Sequence, residues 1–200
     1  MDGQDITGLP PHDLFHKGLL RTFQIAHEFA SMSVRENLMM VPAQQSGETL
    51  WNTWFGRKRI AEEERALQAK ADEVIEFLTI GHLKDEKAGN LSGGQKKLLE
   101  LGRTMMVDAQ IVFLDEVGAG VNRTLLNTIS DAILRLNKER NYTFVVIEHD
   151  MEFIGKLCDP VICMAEGKVL AEGTLNQIKA NGQVIEAYLG TGLKNRAVRQ

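Results

Sequence analysis

Hydrophobic positions along the chain fall into two textures. From about His27 to Arg103 they recur at helical spacing, and after about Asp108 they gather into short continuous runs separated by helices. In the first texture Val34, Leu38 and Val41 share one face behind Ser33-Val34-Arg35-Glu36. There the Ser33 hydroxyl can accept from the Glu36 amide while the Glu36 side chain reaches back, so a helix starts at that point. Ile60, Leu67, Ala71, Val74 and Leu78 predict a long helix over Arg57 to Phe77 whose many charges form a solvated face. In the second texture Ile111–Leu114 and Phe144–Ile147 are apolar runs that end in polar residues. Leu125, Leu126, Ile129, Ile133 and Leu136 predict a helix between them. A helix over Met151 to Leu157 and a strand over Val161 to Met164 follow, then a turn at Glu166-Gly167-Lys168 into Val169–Ala171 and short helices over Thr174 to Lys179 and Val184 to Leu189. At the start, Pro10-Pro11 opens a short helix that Gly18 ends, and Leu19 to Phe23 has strand character. Apolar strands alternating with helices predict a parallel α/β sheet buried on both faces, with the hairpin at its edge. Ligands of such sheets sit at the carboxyl ends of the strands.

Composition narrows the class. The 200 residues are 44% hydrophobic and 25% charged, enough for a sizeable core without disulfides and unlike any collagen-like or disordered chain. A net charge of −4 argues against a nucleic-acid binder with a wholly basic surface, so no nucleic acid is expected as partner. Cys158 and Cys163 are the only cysteines, too few for a disulfide scaffold or a zinc site, and fit idle thiols in a reducing cytosol. No apolar run approaches the roughly 20 residues of a membrane span. Met-Asp-Gly-Gln-Asp at the start has neither the basic stretch nor the apolar region of a signal peptide. The expectation is a cytosolic protein, or one on a membrane only through a partner. Pro42 to Gly56 is irregular, and its Trp51, Trp54 and Phe55 fit either an interaction surface or a small satellite core.

The candidate chemistry sits in four places. Leu91-Ser92-Gly93-Gly94-Gln95 is a Gly-rich turn that runs into the helix Lys96-Lys97-Leu98-Leu99-Glu100-Leu101. Free N–H groups and the helix dipole both favour an anion at such a start, and glycine lets it approach the backbone. About sixteen residues on, Ile111-Val112-Phe113-Leu114 places Asp115 at a strand's carboxyl end, where a carboxylate can hold Mg²⁺. Glu116 beside it can orient and deprotonate a water. His149, after the next strand, can bond a terminal phosphate or that water. Gln24 ends the strand Arg21-Thr22-Phe23 and can touch metal or water. His12, His16, His27 and His82 have no such context.

These elements, in this order, resemble the ATP-binding cassette (ABC) ATPases. Leu91–Gln95 is similar to that family's signature motif, Ile111–Glu116 to its Walker B strand, Gln24 to its Q-loop, His149 to its H-loop, and Ala119-Gly120-Val121-Asn122 to its D-loop. Arg-Thr-Phe-Gln, Ile-Glu-His-Asp-Met-Glu-Phe, Leu-Ala-Glu-Gly-Thr and Val-Ile-Glu-Ala-Tyr-Leu-Gly resemble the branched-chain amino acid importer (LivG-type) subfamily. No Gly-x-x-x-x-Gly-Lys-[Ser/Thr] occurs, so the chain resembles an amino-terminally truncated cassette without Walker A. An internal start, a gene-call error and a real truncation all fit that reading. Val117 stands where the family usually has Pro, and Asn122 where many members have Asp.

The resemblance implies a partial P-loop NTPase (RecA-like) α/β core with a helical subdomain. Residues 1–26 would be a remnant of the nucleotide-binding core, 27–103 the helical and signature subdomain, 104–173 the core with Walker B and H-loop, and 174–200 the C-terminal helices and tail. It implies ATP and Mg²⁺ as cofactors, with Asp115 and Gln24 at the metal, Glu116 as general base and His149 on the γ-phosphate. Ser92, Gly93, Gly94 and Gln95 would bind the ATP of a second ABC ATPase subunit in a head-to-tail dimer. The helical half would dock a coupling helix of transmembrane permease subunits, fed by a periplasmic or extracellular solute-binding protein. The chain would then be cytoplasmic and peripheral on the inner face of the plasma membrane. It would act as the ATP-hydrolysing subunit of an importer for branched-chain or other amino acids. The alternatives are a degenerate cassette that completes a partner's ATP site without hydrolysing ATP, and an ABC ATPase with no importer.

Overall fold

The computed structural model describes residue 1 and residues 3–22, 28–43, 57–107 and 109–187. Gln24, His27, the aromatic group Trp51, Trp54 and Phe55, and the end of the last expected helix lie outside the described residues. Two compact units divide between Ile147 and Glu148.

The first unit is built on three parallel strands in the order β1-β2-β3: β1 (Leu19–Arg21), β2 (Ile111–Asp115) and β3 (Thr143–Ile147). The register pairs Leu19 with Ile111 and Arg21 with Phe113, then Ile111 with Thr143 through to Asp115 with Ile147. All three carboxyl ends therefore lie at one edge of the sheet. The parallel sheet is as the sequence predicts, but burial on both faces is not. In β2, Val112 and Leu114 are buried while their neighbours are half-buried. In β3, Val145 and Ile147 are 40% and 48% exposed. The strands follow the two-residue alternation of a sheet with one packed face.

The packed face is covered by helices. α1 (Pro11–His16) leads into β1 through Gly18 at φ +80°, and α2 (Val34–Met39) follows in the helical half. Ser33 caps α2 as predicted: its hydroxyl accepts from Glu36 N at 3.2 Å, and its own N donates to Glu36 Oε2 at 2.7 Å. Arg35 ties α2 to α3 (Arg57–Phe77) through Asp72 at 2.8 Å, and to the following loop through Asp85 at 2.7 Å. The apolar stripe of α3 is buried only in its second half, at Ala71, Val74, Ile75 and the adjoining Leu78, whereas Ile60 and Leu67 are half-buried. α4 (Gly93–Met105) and α5 (Arg123–Arg140) bring Leu101, Ile129 and Ile133 beneath Leu114. Asn122 caps α5 by accepting from Leu125 N at 3.0 Å, and Asn141 ends it in the left-handed conformation.

The second unit holds α6 (Met151–Leu157), β4 (Val161–Ala165), β5 (Lys168–Gly173) and α7 (Leu175–Ala180), and residues 182–187 are helical. β4 and β5 pair antiparallel as a separate two-stranded sheet, not as an edge of the parallel one. The turn between them is Glu166-Gly167, both at positive φ, the conformation that matches the twist of a tight hairpin. Cys158 and Cys163 are unbridged, and burial pushes the Cys158 thiol up, away from the reactive thiolate.

Candidate functional site

At the carboxyl edge of the sheet, β2 hands Asp115 to the surface. Its side chain is 21% exposed, and its Oδ2 accepts from Arg21 Nη2 at 2.8 Å. The backbone there is fixed by Thr22, whose N donates to the Phe113 carbonyl at 2.9 Å and whose Oγ1 accepts from Asp115 N at 3.4 Å. Glu116 follows in the left-handed region at φ +46°, held by its N–H on the Ile147 carbonyl at 3.0 Å. A non-glycine residue there is strained by about 1–3 kcal/mol, and such outliers gather where a side chain must be aimed. The chain then turns twice, with Ala119 N on the Glu116 carbonyl at 3.1 Å and Val121 N on the Gly118 carbonyl at 3.2 Å. Gly120 supplies the positive φ that the second turn requires. Val117 is buried among Leu114, Ile129 and Ile133, so this turn closes over an apolar side chain where proline was expected.

Ser92 and Gly93 are exposed at the start of α4, where Ser92 and Gln95 form a capping box and the other first-turn N–H groups have no partner within the helix. A Cβ on Gly93 would meet open space. A Cβ on Gly94 would lie 2.2 Å from Leu125 Cδ2 and 2.9 Å from Val121 Cγ1, so Gly94 is where α4 touches α5 and the segment before it. The Gln95 side chain reaches back to the helix start, where its Oε1 accepts from Ser92 N at 2.8 Å. One turn on, Lys96 pairs with Glu28 at 2.6 Å, which ties α4 to the residues just past Gln24.

Among the sequence-predicted residues, the structure brings Asp115 and Glu116 together in the first unit, with Ser92, Gly93, Gly94 and Gln95 at the start of α4 in the same unit. His149 belongs to the second unit. Its imidazole is 69% exposed, 3.8 Å from Glu148, just ahead of Asp150, which caps α6 through Glu152 N and Phe153 N. Sequence reasoning passed over Arg21 as a partner of Asp115 and Lys96 as a partner of Glu28. The first signal was a cation ending an otherwise apolar strand.

The donor set fits a nucleotide-borne metal. Among the described residues no three His, Cys, Asp or Glu side chains form a metal cage. Mg²⁺ needs only one or two carboxylates when phosphates and water complete its shell. Asp115 already pairs with one cationic group, the Arg21 guanidinium. The open first turn of α4 fits a phosphate. The Gly-Lys-Ser/Thr grip on β- and γ-phosphates does not occur in the 200 residues.

A parallel sheet with an Asp-Glu pair at its carboxyl edge, and a Ser-Gly-Gly helix start in the same unit, defines an ATP-binding cassette. The ABC transporter family pattern matches residues 1–119, and the pattern described as branched-chain amino acid ATP-binding cassette transporter matches residues 168–194. The chain is 41% identical to a probable branched-chain amino acid transport ATP-binding protein LivG of Archaeoglobus fulgidus, over 94% of this chain and 72% of that one. It is 34% identical to the high-affinity branched-chain amino acid transport ATP-binding protein BraF of Pseudomonas aeruginosa, over 95% and 74%. Among solved structures it is similar to a nucleotide-free ATP-binding cassette from an ABC transporter, with TM-score 0.78, 36% identity, and 94% and 75% of the two chains covered. The chain belongs to the ABC transporter family, in its LivG-type group of ATP-binding subunits.

Proposed function

We propose that the chain is the ATP-binding and ATP-hydrolysing subunit of an importer for branched-chain amino acids. The observation that carries this reading is the open Ser92-Gly93 start of α4, together with Asp115-Glu116 at the carboxyl end of β2, in a chain of LivG type. In this reading Asp115 holds Mg²⁺, assisted by Gln24. Glu116 takes the proton of the attacking water, and His149 bonds the γ-phosphate. Ser92, Gly93 and the first-turn amides of α4 contact the γ-phosphate of ATP held by a second cassette, while Gly94 and Gln95 shape that turn from within. Closure of the two cassettes on ATP and their reopening after hydrolysis drive the permease, as a ligand-driven shift between two states.

The helical half suits a docking role. Phe29, hydrogen-bonded to Asn37 of α2, and Met40, which caps α2, are 48% and 53% exposed. Two such exposed apolar side chains in the helical half fit the coupling helix of a permease. Among the described residues no helix is long and apolar enough to cross a membrane. Attachment to the inner face of the plasma membrane would therefore come through that partner.

The test mixes the chain with a hydrolysis-deficient LivG-type cassette that carries a P-loop, in ATP and Mg²⁺. Gel filtration should give a 1:1 complex that needs ATP, and Ser92→Arg should abolish it by filling the space of the partner's γ-phosphate. A complex unaffected by Ser92→Arg would refute the head-to-tail role.

A further inference from the structure

The ion pair at the edge of the sheet has a use that the proposed catalytic roles leave open. Arg21 ends β1 and reaches Asp115 at the end of β2, 94 residues away in sequence, with Nη2 2.8 Å from Oδ2. Its backbone is anchored: Arg21 pairs with Phe113 in the sheet, and the next residue, Thr22, is 5% exposed and bonded to the Phe113 carbonyl. Its side chain is the opposite, 64% exposed, with Asp115 as its only ion-pair partner among the described residues. A rigid base thus carries a cationic arm that can leave.

We propose that Arg21 is a tethered counter-cation for Asp115, competing with the divalent metal for the same carboxylate and swinging off when the metal binds. The inference rests on the proposed metal role of Asp115. A guanidinium is weakly hydrated and planar, suited to holding one carboxylate oxygen in a fixed direction. It holds the Asp115 side chain aimed along the sheet edge. A divalent ion on either oxygen meets a positive charge only a few ångströms away, so the two occupants exclude each other. Because the pair is largely open to water, its hold is weak, and the metal can displace it.

The experiment is a Mn²⁺ titration of the ¹⁵N-labelled 200-residue chain, read as paramagnetic broadening of the amide signals of Phe113 to Glu116. Arg21→Met should reach half-broadening at about two- to fivefold lower Mn²⁺ than the unchanged chain, the range expected from losing one exposed ion pair. Arg21→Gln, neutral but polar, should behave like Arg21→Met, and Arg21→Lys should stay near the unchanged chain because it keeps a cation. Asp115→Asn should remove the local broadening in both the unchanged and the Arg21→Met backgrounds. Broadening that depends on Asp115 but has the same midpoint in the neutral Arg21 variants would overturn the proposal and leave the metal role of Asp115 standing. Broadening insensitive to Asp115→Asn, or none at these amides in any variant, would also overturn the proposal.

Discussion

Gly93 and Gly94 stand side by side in the signature turn, and replacing each by alanine should move stability in opposite directions. At Gly94 the new Cβ would lie 2.2 Å from Leu125 Cδ2, 2.9 Å from Leu125 Cγ and 2.9 Å from Val121 Cγ1. Comfortable carbon contacts are about 3.5–4.0 Å, so the whole Leu125 branch must move, and Val121 limits where it can go. Overpacking of this kind costs about 1–3 kcal/mol. Alanine returns about 0.5–1 kcal/mol through its helix preference over glycine. The net loss is about 1–2 kcal/mol, or a fall in Tm of a few degrees for a chain of this size. At Gly93 nothing stands within 4 Å of the new Cβ, so the helix preference acts alone and the variant should match or slightly exceed the parent. Urea and thermal unfolding of both variants measure this. Leu125→Ala removes the atoms in conflict, so Gly94→Ala made in that background should lose most of its penalty, a coupling of about 1 kcal/mol in the double-mutant cycle. Additive effects at Gly94 and Leu125, or a Gly93→Ala variant less stable than Gly94→Ala, would refute the packing argument and return Gly94 to a purely ligand-facing role.

In a cassette that joins this sequence to a P-loop segment, Glu116→Gln should still bind ATP but hydrolyse it about 10²–10⁴-fold more slowly, because the amide cannot accept a proton. A phosphate-release assay checks it, and turnover within twofold of the parent would remove Glu116 from the role of base. Isothermal titration of the 200-residue chain with Mg-ATP should show affinity no better than about millimolar and no turnover above background, since the ring of P-loop amides and its Lys supply most phosphate contacts. Micromolar binding with Glu116-dependent turnover would contradict it. Ser33→Ala should cost about 1 kcal/mol in urea unfolding by removing the cap of α2. The Glu36 carboxyl is held below its ordinary value by the hydrogen bonds from Ser33. Its support is therefore present above the unfolded carboxylate range and lost as pH falls through the lower folded value, so the stability gap between parent and Glu36→Gln should close on acidification.

Much of the fold was legible because it is written in short-range pattern. The apolar runs at Ile111 and Phe144, the helical spacing from Leu125 to Leu136 and the Ser33–Glu36 cap each involve residues within a turn or two of one another. Asp115 and Glu116 were legible as a strand's end for the same reason. The hairpin of β4 and β5 was legible as well, but its separation from the parallel sheet was not, because whether a hairpin joins a sheet depends on distant partners and not on its own sequence. Arg21 was hidden by the 94 residues that separate it from Asp115. Gly94 has a packing task that its letter does not show, since a glycine kept small for a neighbouring helix and one kept small for a ligand are the same letter. Asn122 likewise caps α5 whatever else it does, a local task that either Asn or Asp performs.

The backbone of Glu116 also records a trade-off between folding and work. At φ +46° a glycine would sit without penalty, and asparagine with little, so either would give the chain a more comfortable turn. A long carboxylate at that position opposes folding. Selection for stability alone would discard it, and random substitution should find stabilising replacements there more readily than at the buried positions around it. Those variants would form a sturdier protein without the acid that the proposed mechanism uses to deprotonate a water. A library sorted only for thermal survival should therefore drift at residue 116 toward inert sequences, while one sorted for transport should hold the acid and tolerate its strain.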